Sequence, residues 1–156
     1  MTPTLSGRIQ SRIFLALLIG VPWTILLTPF LPGIRIDGEG FVGFGPGMYP
    51  VTFTALGLMI VLGAVVWDPL YHGLQQFRWE RDWPSMFALL TVINEAVLLW
   101  FVLSAVGVDG GGRAQMSTFV VHIATTWLLM WLFAVGPIRV VLLRYRFSGG
   151  RILRRW

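Results

Sequence analysis

Four apolar runs, about residues 13–31, 51–67, 86–108 and 116–136, constrain this chain more than any other feature. An apolar helix of roughly 20 residues crosses the ~30 Å hydrocarbon core of a bilayer, and three of the runs reach or approach that length unaided. The run 51–67 spans if its flanks contribute. A chain of 156 residues that is 56% hydrophobic and 12% charged cannot hide so much apolar surface in a water-soluble core. A soluble domain carries about 25% charged residues, and the mean hydropathy here is +0.74. Lipid is the expected solvent. The sequence therefore predicts an all-α integral membrane protein, residues 1–156 forming a single membrane domain. Its architecture is a four-transmembrane-helix bundle followed by a basic tail, 137–156.

The first run follows Arg8 and Arg12, a pattern shared with secretory signal peptides. It lacks a small-x-small cleavage site and further spans follow, so a retained anchor is expected. Pro22 lies inside it and predicts a kink, with the lost donor absorbed by neighbouring spans or Thr24.

Orientation follows from arginine, which supplies all twelve basic residues. With both termini cytoplasmic, the inner segments hold ten arginines and the outer loops hold two, Arg35 and Arg113. That bias predicts both termini inside and multi-pass insertion in the plasma (cytoplasmic) membrane, which in a bacterium is the inner membrane. The net charge of +5 is then explained by orientation and anionic headgroups, not by nucleic acid. The tail arginines Arg139, Arg144, Arg146, Arg151, Arg154 and Arg155 are candidates for lipid-headgroup or partner contact. Ile138, Val141, Leu142 and Tyr145 keep a helical stripe, so the start of the tail is expected to hug the membrane.

The stretch from Trp67 to Pro84 is the most distinctive polar interval. It opens with Trp-Asp-Pro and closes with Asp-Trp-Pro, and Leu70, Leu74 and Phe77 recur at helical spacing. A short amphipathic cytoplasmic segment between the second and third helices is expected, lying on the membrane surface. Asp68, Glu80 and Asp82 would pair with Arg78 and Arg81 in a solvated cluster. Interface anchoring explains Trp67 and Trp83 well but Trp79, amid charges, less well. Aromatic and arginine side chains dominate binding hot spots, so Trp67, Phe77, Arg78, Trp79, Arg81 and Trp83 are partner-docking candidates.

Residues 32–50 form a glycine-rich outer loop. Asp37-Gly38 is a hairpin turn signal, and Ile34 and Ile36 facing Phe41 and Phe44 predict a two-stranded flap. Gly38, Gly40 and Gly43 match G-x-G-x-x-G, but no strand–turn–helix context surrounds them, so a structured lid is expected rather than a dinucleotide site.

Ionisable side chains inside a span are costly and so point to function unless paired. Glu95, beside Asn94, sits near the middle of the third run, and His122 lies in the outer half of the fourth. Thr91, Asn94 and Glu95 share one helical face; Thr118, His122, Thr125 and Thr126 share another, and both are expected to point into the bundle. Antiparallel helices place His122 roughly 9 Å further out than Glu95, too far for direct contact. Glu95 then serves either as interhelical glue, protonated or bonded to Thr125, Thr126 or Asn94, or in proton or substrate handling. A membrane haem needs two histidines at matched depth, and His72 lies elsewhere. No cofactor, metal site or catalytic set is expected, and with no cysteine there is no thiol chemistry.

Two function classes follow. The first is a non-enzymatic anchor or accessory subunit of a larger membrane-associated assembly, docking a protein partner through its cytoplasmic Trp/Arg-rich face. The second is an oligomeric small transporter or proton-linked channel using Glu95.

Overall fold

The computed structural model describes residues 4–31, 33–34, 41–42, 48–77, 85–106, 115–142, 145 and 147–153. Four helices, α1 (Leu5–Phe30), α2 (Tyr49–Gln76), α3 (Ser85–Val106) and α4 (Met116–Val141), are long and apolar enough to cross a membrane. By composition this is a multi-pass membrane protein. Leu17, Leu26, Val65, Ile93 and Phe101 stay exposed on the outside of the bundle, compatible with contact to lipid acyl chains. The core is a seam of Leu15, Ala16, Leu56, Met59, Leu99, Leu103, Phe119 and Ile123.

The first helix begins earlier than its apolar run. Thr4 is extended and its hydroxyl accepts from the Gly7 amide at 3.1 Å, capping a helix that starts at Leu5. Arg8 and Arg12 are therefore helical and part of the bundle, not a polar leader to it. Near Pro22, α1 widens into a π turn, Ala16–Gly20. A proline ring crowds the carbonyl four residues before it, and a wide turn just upstream accommodates that crowding.

The second helix also departs from expectation. It does not end near Trp67 and give way to a separate surface segment. It continues through a second π turn, Gly63–Trp67, to Gln76. The physical reason is that Asp68 and Pro69 do not break it. The Asp68 amide donates to the Gly63 carbonyl across the wide turn, and Pro69 falls where its missing donor is tolerated. Gly57 has nothing within 4 Å of where a Cβ would stand, so the Gly57/Ala64 spacing makes no close helix contact.

The connection between α1 and α2 contains the expected antiparallel pairing. β1 (Gly33–Ile34) and β2 (Phe41–Val42) pair Gly33 with Val42 and Ile34 with Phe41. The Asp37-Gly38 turn, Ile36, Phe44 and the glycine motif lie outside the described residues.

After Gly136 the fourth helix resumes at Pro137, buries Ile138, and the chain turns back at 148–150 onto the start of α1. The Thr4 amide donates to the Gly149 carbonyl at 3.1 Å and the Ser11 hydroxyl to the Gly150 carbonyl at 3.0 Å. The amides of Ile152 and Leu153 both donate to Gln10 Oε1. Gly7 permits this contact, since a Cβ there would collide with the Gly149 carbonyl. Both described chain ends, the end of α2 and the start of α3 thus gather at one end of the bundle.

Candidate functional site: a buried ion cluster and the cavity beside it

Three charged side chains meet inside the bundle. Arg12 of α1 is 8% exposed, Asp68 of α2 is 4% and Glu95 of α3 is 5%. The guanidinium forks twice. Nε and Nη2 donate to Asp68 Oδ2 and Oδ1 at 3.1 and 3.0 Å, while Nη1 and Nη2 donate to Glu95 Oε2 and Oε1 at 2.8 and 3.1 Å. Planar, bidentate, charge-assisted bonds of this kind are the strong ones. The Arg12 side chain also lies over the Trp127 ring, 5.4 Å from its centroid, so α4 joins the contact through a cation–π interaction. One arginine ties all four helices together.

Local geometry explains why these residues converge. Side chains lean towards the N-terminus of their own helix, so Glu95 leans back towards the end where α3 starts, whereas Asp68, on antiparallel α2, leans the opposite way. The π turn brings Asp68 over Gly63, on the face towards α1. Gly63 itself makes room, because a Cβ there would overlap the Arg12 guanidinium.

These contacts correct the expected partners. Glu95 is bonded to Arg12, not to Thr125, Thr126 or Asn94. Asp68 is not in a solvated cluster; it is buried, and the Arg12 guanidinium of α1 holds it with two donors. Asn94 does not point into the bundle. It is exposed, at the edge where the Tyr71 hydroxyl approaches it, because it lies about 100° around the helix from buried Glu95.

His122 and Glu95 are indeed not in contact. His122 Nε2 lies 2.9 Å from Thr24 Oγ1, in a separate polar seam towards the other end. There Thr28 Oγ1 and Thr52 Oγ1 are 2.9 Å apart, Thr28 donates to the Thr24 carbonyl at 2.6 Å, and Trp23 Nε1 donates to Thr125 Oγ1 at 3.0 Å. Thr126 is fully buried in the same seam. The Thr126 hydroxyl and His122 Nδ1 find no hydrogen-bond partner among the described residues.

Of the docking candidates, Trp67 is half-buried and stacked on Tyr71 at 5.6 Å, and Phe77 is 90% exposed. Arg78, Trp79, Arg81 and Trp83 lie outside the described residues, as do Glu80 and Asp82. In the tail, Arg139 is exposed, whereas Arg151 Nε donates to Thr4 Oγ1 at 3.1 Å. Arg144, Arg146, Arg154 and Arg155 lie outside the described residues.

A cavity of about 620 Å³ opens beside the ion cluster, between the start of α1, the end of α2, the start of α3 and the end of α4. Arg8, Arg12, Asp68, Glu95 and Arg139 reach its lining, with Trp127, Trp131 and Tyr145 as aromatic walls. Trp131 and Trp127 hold its rim by donating to the carbonyls of Ser85 and Ala88 at 2.8 and 3.2 Å. Sequence reasoning missed Arg12, Asp68 and this cavity. One signal was available: in an up-and-down bundle, a charge at the start of the first apolar run and one at the end of the second are level. Among the described residues no group of three or more His, Asp or Glu side chains could hold a metal ion. Compared with known proteins, the chain matches no family model, no curated protein and no solved structure.

Proposed function

We propose that this protein is a non-enzymatic anchor or accessory subunit of a larger membrane assembly. It sits in the plasma membrane with both termini cytoplasmic and docks a protein partner through its inner Trp/Arg-rich face. The observation that carries this reading is the double fork of Arg12 on Asp68 and Glu95. The one intramembrane glutamate is committed to holding helices together, so it serves the scaffold. With Arg12 set aside in the bundle, nine arginines fall in the segments on the side of the chain ends and two in the connections opposite, which supports the orientation. Phe77, almost fully exposed, leads into the Arg78–Trp83 stretch and supports a docking role for that face.

The test is purification of the tagged full chain in mild detergent with mass spectrometry of what accompanies it. A stoichiometric partner is expected, lost in Trp79→Ala while the protein still inserts. A homogeneous homodimer with nothing attached would overturn the accessory reading.

One observation favours the transporter reading as second: the cavity reaches Glu95. On that reading Glu95→Gln abolishes proton-coupled flux in liposomes while leaving a folded protein. On the accessory reading no such flux exists.

A further inference from the structure

The cavity has a chemistry of its own. Arg12, Asp68 and Glu95 together carry one negative charge, and with Arg8 and Arg139 the charged groups of the lining sum to one positive charge. Arg8 Nη2 donates to Gln75 Oε1 at 2.8 Å, but its Nε is buried without a hydrogen-bond partner among the described residues. Gln75 is a neutral acceptor, so that bond leaves the Arg8 charge uncancelled. A cation would meet both arginines, and Asp68 and Glu95 have their oxygens engaged by Arg12. An anion is the complementary occupant.

The remaining walls say what kind of anion. Leu15, Met130, Ala134 and Val135 make part of the lining apolar, and Trp131 and Tyr145 are the aromatic types that favour the water–lipid boundary. Ser85, Ala88 and Arg139 are exposed at its edge, so it is open where α3 begins and α4 ends. A basic pocket between membrane helices, near the bilayer surface and apolar on one side, suits a phospholipid headgroup.

We propose that this cavity binds the headgroup of an anionic membrane lipid, its phosphate drawn to Arg8 and Arg139 and its first methylenes lying along Met130 and Ala134. The site works as a lipid clamp: the headgroup bridges the start of α1 and the end of α4, the same two segments stitched together by the 148–153 turn. It does not depend on whether the protein has a partner.

The experiment uses the full chain in neutral detergent, with phosphatidylglycerol, phosphatidylcholine or inorganic phosphate added, read by native mass spectrometry and thermal unfolding. A retained phosphatidylglycerol adduct and a midpoint raised by several degrees are expected, with neither effect from the other two. Arg8→Gln/Arg139→Gln should weaken retention about tenfold or more, the size expected for losing charge-assisted bonds. Ala134→Phe keeps both arginines, fills the cavity and should also expel the lipid, so it decides the matter if the double variant does not fold. Equal retention of phosphatidylcholine, or undiminished retention in Ala134→Phe, would overturn the proposal. A matching shift from inorganic phosphate would overturn the lipid assignment in favour of a soluble anion.

Discussion

The bundle holds two buried polar regions of opposite character. At the end where the described chain ends meet, Arg12, Asp68 and Glu95 form an ionic cluster in which both carboxylates depend on one guanidinium. Towards the other end, Thr24, Thr28, Thr52, Thr126 and His122 form a seam of neutral groups, all at most 1% exposed. Two of these four threonines also bond carbonyls of their own helix, Thr28 to Thr24 and Thr52 to Met48. A neutral hydroxyl that loses its partner across the interface falls back on its own backbone, whereas a buried charge that loses its partner has no such refuge. The ionic cluster should therefore fail as a unit when its shared cation is lost, whereas the seam should fail piecemeal.

The strongest way to break that comparison is Arg12→Leu. Two buried carboxylates would lose their counter-ion, a change that typically costs ~3–5 kcal/mol. We expect little folded protein in mild detergent by size-exclusion chromatography. Replacing all three together, as Arg12→Met/Asp68→Leu/Glu95→Met, should recover most of it, because an apolar set needs no counter-ions. A single Arg12→Leu variant with wild-type thermal stability would mean the cluster does not hold the bundle.

Gly63→Ala comes next. The added methyl claims the space of the guanidinium, and overpacking of this kind costs ~1–3 kcal/mol. Gly57→Ala on the same helix has open space and serves as the control; it should be neutral or slightly stabilising. Equal loss in the two variants would show that helix α2, not Arg12, sets the cost.

Glu95→Gln should be milder. Asp68 keeps its fork on Arg12 and the amide oxygen still accepts, so a loss of ~1–2 kcal/mol is expected, measured by denaturant titration in detergent. The smallest effect belongs to the seam. Thr52→Val removes one hydroxyl pair while Thr28 retains its bond to the Thr24 carbonyl, and interhelical bonds of this type average ~0.6 kcal/mol. A Thr52→Val loss as large as that of Gly63→Ala would erase the distinction between the two regions.

Much of the architecture was legible in the residues. The four spans follow from run length and hydropathy, and the pairing of Ile34 with Phe41 follows from an Asp-Gly turn signal between apolar neighbours. The separation of His122 from Glu95 follows from helical rise alone. What was illegible lay at the helix ends, where hydropathy loses its contrast. The residues before the apolar run look separate from it because they are polar, yet Thr4 caps a helix that starts at Leu5 and carries Arg12 into the bundle. Residues 68–76 look like a surface helix because they are amphipathic. Their polar face, however, meets α1, with Asp68 on Arg12 and Gln75 on Arg8.

The sequence by itself determined that this chain has four stretches long and apolar enough to cross a membrane, and that a lone glutamate in the third requires an explanation. Only the tertiary structure decided which cation answers it. An ion pair across helices depends on depth, rotation and the room left by a neighbour's missing Cβ. Here two wide π turns and one glycine set those quantities, and no periodicity in the residues announces them.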